Sequence, residues 1–183
     1  MGTDLGGKTC GIIGLGAIGG GIARRVEACG MKVCYHGPSE KPASPYPYFA
    51  DLEEMARRAD CLVASCPLTA KTRGLVGSRV LEALGRNGFL VNVARGPVVD
   101  EGALVAALQA GRIAGAGLDV YWDEPQVPAA LRAMENVVLT PHIGSSTLEV
   151  REARGEKLIA NLRAHFAGRP VPYPLTEADA RKR

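Results

Sequence analysis

The segment Thr9-Cys10-Gly11-Ile12-Ile13-Gly14-Leu15-Gly16-Ala17-Ile18-Gly19 predicts the fold of this chain more directly than any other. It joins a short apolar run, typical of a buried strand, to a Gly-x-Gly-x-x-Gly loop and then to a helical pattern. In that setting Gly14 permits the tight turn, Gly16 lets the backbone approach a pyrophosphate, and Gly19 lets the helix pack closely on the strand. The N–H groups at the start of the helix would hold the anion, so the segment predicts a dinucleotide site that includes Gly14, Gly16, Ala17, Ile18 and Gly19.

Short apolar runs alternate with helical patterns along the rest of the chain. Strands are predicted at 9–14, 32–35, 61–65, 89–92, 113–119 and 137–140, and helices at 17–29, 52–58, 78–84, 101–109, 128–134 and 146–167. Asp51, with Glu54 three residues on, forms a capping-box pattern, and Asp100 precedes another helix. Such alternation predicts right-handed crossovers and a Rossmann-type, doubly wound parallel sheet in a three-layer α/β/α arrangement. Pro42, Pro45 and Pro47 predict a loop at the sheet edge before Asp51.

Length and composition favour one dinucleotide-binding domain over residues 1–183, in which 147–175 form a long helix and tail. The net charge of +3 without a basic stripe does not favour a nucleic-acid partner, and no apolar run is long enough to cross a membrane. The five cysteines are odd in number and lack Cys-x-x-Cys spacing, which favours reduced thiols over disulfides or a metal site. We therefore expect a cytoplasmic protein without a bound metal.

The end of the second predicted strand bears on the choice between NAD and NADP. An acidic residue about 20 positions after the glycine loop binds the ribose 2′-hydroxyl in NAD-dependent domains, and the segment Tyr35-His36-Gly37-Pro38-Ser39-Glu40-Lys41 has none at the expected place. His36, Ser39 or Lys41 could contact a 2′-phosphate, although no arginine is present to form a fork with it. NADP is mildly favoured over NAD, and the alternative is that 36–41 is simply a solvated turn.

Four further motifs each follow a predicted strand: Cys66-Pro67-Leu68-Thr69, Asn92-Val93-Ala94-Arg95-Gly96, Asp119-Val120-Tyr121-Trp122-Asp123-Glu124-Pro125 and Pro141-His142-Ile143-Gly144-Ser145. Taken singly, Arg95 could be a surface arginine and His142 a structural histidine. Taken in order from about 4 to about 174, the motifs resemble the D-isomer-specific 2-hydroxyacid dehydrogenases, especially the glyoxylate/hydroxypyruvate reductase branch.

The resemblance implies a role for each site residue. Arg95 would bind the substrate carboxylate, His142 would act as general acid and base, and Glu124 would orient the imidazole. Asp119 would accept a hydrogen bond from the nicotinamide carboxamide. The cofactor cleft would also be lined by Cys66, Pro67, Val93, Ala94, His142 and Gly144. Many relatives carry arginine where this chain has Ala17, so a side-chain contact with the cofactor phosphates is expected to be missing.

The implied function is hydride transfer between a nicotinamide cofactor and a small 2-keto or 2-hydroxy acid, glyoxylate or hydroxypyruvate. The alternative is a non-enzymatic, dinucleotide-responsive dimerisation module, as in corepressors that resemble this family. Relatives carry a substrate domain before the first Rossmann strand, and the chain starts about eight residues before that strand. We therefore expect this domain to be absent, the isolated chain to be weakly active or inactive, and residues 147–175 to be the part that would dock on the substrate domain. A homodimer is also expected from the resemblance.

Overall fold

The computed structural model describes residues 3–174, which divide into two compact units, the first ending at residue 140 and the second beginning at residue 141. The first unit contains the sheet and five of the helices in the described residues, and the second contains the last helix. The grouping of the whole chain into a single domain stays a prediction.

Within residues 3–174 the structure contains one parallel sheet of seven strands. They are β1 (Thr9–Ile13), β2 (Lys32–His36), β3 (Tyr48–Phe49), β4 (Cys61–Ala64), β5 (Phe89–Asn92), β6 (Gly115–Leu118) and β7 (Val137–Leu139), in the order β3-β2-β1-β4-β5-β6-β7. From the central β1 the chain winds outward to β3, returns to β4 and then winds outward in the opposite direction. The direction of winding therefore reverses between β1 and β4, and open α/β sheets bind ligands at the carboxyl ends of the strands beside such a reversal. The doubly wound fold is confirmed.

The helices of the described residues are α1 (Ala17–Ala28), α2 (Leu52–Arg58), α3 (Ser78–Leu84), α4 (Glu101–Gln109), α5 (Ala129–Arg132) and α6 (Leu148–Phe166). Alternate side chains of each strand point to opposite faces of the sheet. On β4, Leu62 packs in the core cluster that includes Met55 of α2 and Leu81 of α3, whereas Val63 packs in the cluster that includes Ala23 of α1. The first unit therefore has the predicted three layers, and fully burying a side chain such as Leu62 stabilises it by about 1.5–3 kcal/mol.

The predicted helix caps at Asp51 and Asp100 are confirmed. Asp51 Oδ1 accepts from the Glu54 backbone N at 2.9 Å, and Asp100 Oδ1 accepts from the Ala103 backbone N at 2.9 Å. The Glu54 carboxylate instead accepts from Arg58 at 3.0 Å, one helical turn later. The capping box predicted from Asp51 and Glu54 is therefore formed on one side, because the glutamate has a cation within reach on its own helix.

The prediction of a loop throughout the segment before Asp51 was wrong at its end, where β3 pairs with β2. Tyr48 is the register partner of Tyr35, and Phe49 that of His36. Pro47 lacks an N–H donor, but its carbonyl accepts from the Tyr35 backbone N at 3.0 Å, which suits the edge of a sheet. A strand of two residues is too short for its side-chain alternation to be read from sequence.

The second unit consists of a loop at 141–147, α6 and the segment that follows. Thr147 caps α6 through its hydroxyl, which accepts from the Val150 backbone N at 3.3 Å. After α6 the chain turns back, and the Asn161 amide makes two hydrogen bonds with the backbone of Tyr173, at 2.8 and 2.9 Å. Among residues 3–174, no helix is both long and apolar enough to cross a membrane.

Candidate functional site

The glycine loop lies at the reversal point of the sheet, directly between β1 and α1. Gly14 has a φ of 96°, and a Cβ there would lie 2.7 Å from the Cα of Cys66, so only glycine fits without displacing the turn after β4. The Gly14 N–H donates to the His36 carbonyl at 2.9 Å, which ties the loop to the end of β2. Gly19 is buried at the start of α1, where a Cβ would collide with the Gly14 carbonyl.

The N-terminus of α1 is built to accept an anion. The helices α2, α4 and α6 each have a side chain that caps the first turn, whereas α1, with Gly16 at its N-cap, has no side-chain cap and no acidic residue in its first turn, as is also the case for α3 and α5. A Cβ on Gly16 would meet nothing within 4 Å, so the space in front of the helix is open. The N–H groups of the first turn and the helix dipole therefore suit a pyrophosphate, and the residues present fit a dinucleotide.

His36 ends β2 beside this loop. Its Nδ1 lies 3.0 Å from the carbonyl oxygen of Phe49. Because a carbonyl oxygen can only accept, the proton of this hydrogen bond belongs to Nδ1, which sets the orientation of the ring. The loop at 37–41 follows, with exposed side chains at Ser39 and Lys41.

Cys66 and Pro67 follow β4 on the other side of the glycine loop. Cys66 is buried against Gly14, where it forms part of the wall beside the glycine loop, and burial raises the pKa of its thiol. Pro67 is exposed, and its carbonyl accepts from the Thr72 hydroxyl at 2.7 Å, which closes the turn after β4.

The loop that presents Arg95 is shaped by the buried side chain of Asn92, at the end of β5. Its Oδ1 accepts from the Ala94 backbone N at 3.0 Å, and its Nδ2 donates to the Arg95 carbonyl at 3.0 Å. Arg95 itself is exposed, and its Nη1 donates to the Ala94 carbonyl. The amide of Asn92 thus provides hydrogen-bond partners for the backbone of the turn from inside the protein, while the guanidinium of Arg95 stays exposed at the edge of the sheet where the strands end.

Gly96 joins the Arg95 loop to the loop after β6. A Cβ at this position would collide with the backbone of Tyr121 and Trp122, so the backbones of the two loops are in direct contact here. The Trp122 indole N–H donates to the Val99 carbonyl at 2.9 Å, just past the 3-10 turn Gly96–Val98. These contacts fix the position of the segment that carries Arg95 relative to the segment that carries Glu124.

Asp119 and Glu124 lie in that second loop. The Asp119 backbone N donates to the Asn92 carbonyl at 3.1 Å, and its Oδ1 accepts from the Thr140 hydroxyl at 2.6 Å. Glu124 Oε1 accepts from the Tyr121 backbone N at 3.1 Å. Burial and then the nearby Asp119 carboxylate raise the pKa of Tyr121. The loop is a hydrogen-bonded unit with concentrated negative charge.

His142 and Gly144 belong to the second unit of the structure. Among residues 3–174, His142 is the one non-glycine residue with a positive φ, 52°. Residues other than glycine take up this left-handed region at an energetic cost, and such residues cluster at functional sites. The pairing of His142 with Glu124 stays a prediction.

The structure brings most of the predicted residues to one edge of the first unit. The glycine loop, the Cys66-Pro67 turn, the Arg95 loop and the Asp119 loop follow the consecutive neighbours β1, β4, β5 and β6, whose carboxyl ends share that edge. Two contributors were missed. One is Asn92, whose polar side chain at the end of an apolar strand could have indicated its role in shaping the turn. The other is Trp122, because nothing in the sequence indicates its hydrogen bond to Val99.

Together the fold and the glycine loop define a dinucleotide-binding α/β domain. Residues 1–144 match the family described as D-isomer specific 2-hydroxyacid dehydrogenase, NAD binding domain. The chain belongs to this family.

Similar proteins agree with this assignment. A hydroxyphenylpyruvate reductase of Plectranthus scutellarioides is 47% identical over 173 residues, which cover 94% of this chain and 55% of the relative. A glyoxylate/hydroxypyruvate reductase of Arabidopsis thaliana is 46% identical over 173 residues, with the same coverage of 94% and 55%. The crystal structure of an NADPH-dependent glyoxylate/hydroxypyruvate reductase from Sinorhizobium meliloti, in complex with NADP and malonate, is similar with a TM-score of 0.89 and 44% identity, over 94% of this chain and 54% of that one. The chain spans about half the length of the curated relatives it matches.

Proposed function

We propose that this chain is the cofactor-binding part of an oxidoreductase that transfers hydride between a nicotinamide dinucleotide and a small 2-keto or D-2-hydroxy acid, glyoxylate or hydroxypyruvate. One observation supports it most: Arg95 and Glu124 are carried on two loops that touch through Gly96, at the same sheet edge as the glycine loop. A cation and an acid beside a nucleotide site suit a substrate that has both a carboxylate and a carbonyl. The names of the relatives favour the same substrate class.

Each residue of the chain has a defined task in this proposal. The guanidinium of Arg95 binds the substrate carboxylate through two parallel hydrogen bonds, which sets the direction of the carbonyl. An imidazole nitrogen of His142 gives a proton to the carbonyl oxygen in reduction and takes it back in oxidation, and Glu124 orients that ring. Asp119 accepts from the carboxamide of the cofactor, which supplies or takes the hydride when bound.

NADP is favoured over NAD as the cofactor. No acidic side chain ends β2, where one would bind a ribose 2′-hydroxyl and repel a 2′-phosphate. Ser39 and Lys41, both exposed in the following loop, offer a hydroxyl and a positive charge to a 2′-phosphate. The relative from Sinorhizobium meliloti is described as NADPH-dependent.

Two experiments test the proposal. Calorimetric titration of the 183-residue chain with NADPH and NADH measures cofactor binding, and single-turnover loss of NADPH absorbance on addition of glyoxylate together with a separately supplied substrate domain measures chemistry. We expect Arg95→Ala to abolish the glyoxylate-dependent signal while NADPH binding persists, and Arg95→Lys to restore little, because an ammonium cannot form the planar fork. Binding without any keto-acid-dependent oxidation when the substrate domain is present, in wild type as in both variants, would instead support the dimerisation module. Failure to bind either nucleotide would contradict both functions.

A homodimer in the cytoplasm completes the proposal. Exposed apolar side chains on α6, Leu158, Ile159, Leu162 and Phe166, are suited to a protein contact. Light scattering on the purified chain would show a mass twice that of the monomer, and a monomer at all concentrations would contradict the dimer. The five free cysteines within the described residues fit a reducing compartment.

A further inference from the structure

Two tyrosine hydroxyls hold the two ends of the loop that follows β2. The Tyr48 hydroxyl donates to the carbonyl of Gly37, the first residue of the loop, at 3.1 Å. The Tyr35 hydroxyl accepts from the backbone N of Lys41, the last residue of the loop, at 2.7 Å. The five residues at 37–41 are therefore fixed at both ends by side chains, although their own side chains at 38–41 are exposed.

The two tyrosines form a rigid pair because the sheet positions both of them. Tyr35 and Tyr48 are register partners on β2 and β3, and their ring centroids lie 5.3 Å apart at a tilt of 47°. Tyr35 is 1% exposed, so its body is fixed in the core and its hydroxyl reaches the loop from below. A buried tyrosine hydroxyl needs a hydrogen-bond partner, and here the loop backbone is that partner.

We propose that Tyr35 and Tyr48 are positioning residues that set the preference for NADPH over NADH, by holding the loop at 37–41 where Lys41 meets the ribose 2′-phosphate. This inference rests on the proposed function, since it requires that the glycine loop beside His36 binds a dinucleotide. Both hydroxyls bond to the backbone of the loop, at Gly37 and Lys41, so each acts through the position of Lys41.

The charge pattern of the loop explains why its position matters. Glu40 and Lys41 are adjacent and carry opposite charges. A loop that moved freely would present the carboxylate as well as the ammonium to a bound phosphate, and the two would largely offset each other. Fixing the backbone of Lys41 favours one orientation and removes the entropic cost of ordering it on binding. NADH has no 2′-phosphate, so its affinity does not depend on this arrangement.

The test is a calorimetric comparison of NADPH and NADH binding to the 183-residue chain and its variants. Tyr35→Phe and Tyr48→Phe each remove one hydroxyl and leave the ring. We expect each to weaken NADPH binding by about fivefold to tenfold, the order of one lost hydrogen bond between neutral groups, and to leave NADH binding unchanged. Lys41→Ala should weaken NADPH binding to a similar extent. The double variant Tyr35→Phe, Lys41→Ala should bind NADPH no more weakly than Lys41→Ala alone, because the tyrosine acts through the lysine.

Tyr46→Phe is the matched control. The Tyr46 hydroxyl donates to Glu27 of α1 at 2.6 Å, so it anchors the same β2–β3 connection without touching the loop at 37–41. We expect both affinities to survive that substitution. An equal loss of NADPH and NADH affinity in Tyr35→Phe and Tyr48→Phe, or a loss of NADPH affinity in Tyr46→Phe, would overturn the inference and leave dinucleotide binding intact. If the wild-type chain binds neither nucleotide, the proposed function itself is contradicted.

Discussion

Replacing Asn92 by alanine tests whether the Arg95 loop is held from inside the protein. Asn92 is 1% exposed, and its amide makes one hydrogen bond to the Ala94 N–H and one to the Arg95 carbonyl. In the described residues every buried side-chain nitrogen or oxygen has a hydrogen-bond partner, so this amide belongs to a fully satisfied interior. Alanine at position 92 removes both bonds at once.

The expected cost follows from the surroundings of the two partners. The Ala94 N–H is buried and loses its acceptor, which costs about 1–3 kcal/mol. The Arg95 carbonyl belongs to an exposed residue and can bind water instead, so its lost bond costs about 0.5–1.5 kcal/mol. We expect Asn92→Ala to lower the free energy of unfolding by about 2–4 kcal/mol and the Tm by roughly 5–15 °C.

The assay is urea unfolding followed by circular dichroism, with Asn136→Ala as the control. Asn136 is exposed, and its amide donates one hydrogen bond to the Ala114 carbonyl at 3.1 Å, so its loss should cost less than about 1 kcal/mol. With a separately supplied substrate domain, Asn92→Ala should also reduce glyoxylate-dependent NADPH oxidation, because the loop that presents Arg95 loses its support. Equal stability losses in the two variants would refute the reasoning.

Three further outcomes are expected. Gly14→Ala should abolish the NADPH binding measured by calorimetry and lower the free energy of unfolding by at least about 1 kcal/mol, because alanine is strained at positive φ and its Cβ would collide with Cys66. NADPH binding at wild-type affinity would contradict this. In the folded chain the Thr9 N–H donates to the Asp60 carboxylate and lowers its pKa, so the ionised carboxylate stabilises the fold above its ordinary pKa, and this stabilisation is lost as the pH falls through the lowered value. Asp60→Asn should therefore lose less free energy of unfolding in acid than wild type does. Identical pH profiles of stability for the two proteins would contradict this. Native alkylation read by mass spectrometry should modify the exposed Cys29 well before the buried Cys66, and equal rates would show that the turn at Cys66 opens.

Six of the seven strands within residues 3–174 were predictable from sequence because each has enough apolar residues to show its burial. The segments at 89–92 and 101–109 were predicted with the bounds that the structure has, since Asp100 marks the start of the helix and Gly111 follows its end. β3 was missed because two residues show no alternation, and three prolines before it indicate a loop.

The candidate site also has features that the sequence predicts and features that it does not. Glycines with fixed spacing between a predicted strand and a predicted helix indicate where backbones approach each other, so spacing and placement together assign a role to Gly14 and its neighbours. Close approaches between distant segments leave no such pattern: the contact of Gly96 with Tyr121 depends on where two strands end in the sheet. Nor could the tyrosine pair be foreseen, because Tyr48 becomes the neighbour of Tyr35 only through the unexpected strand β3.

A crystal structure of the chain grown with NADPH would test the central claim most directly. We predict the pyrophosphate against the N-terminus of α1 at Gly14 to Gly19, the 2′-phosphate beside Lys41, and the nicotinamide end toward the loops that carry Arg95 and Asp119. A nucleotide bound at any other place on the sheet, or with its pyrophosphate away from α1, would contradict the account.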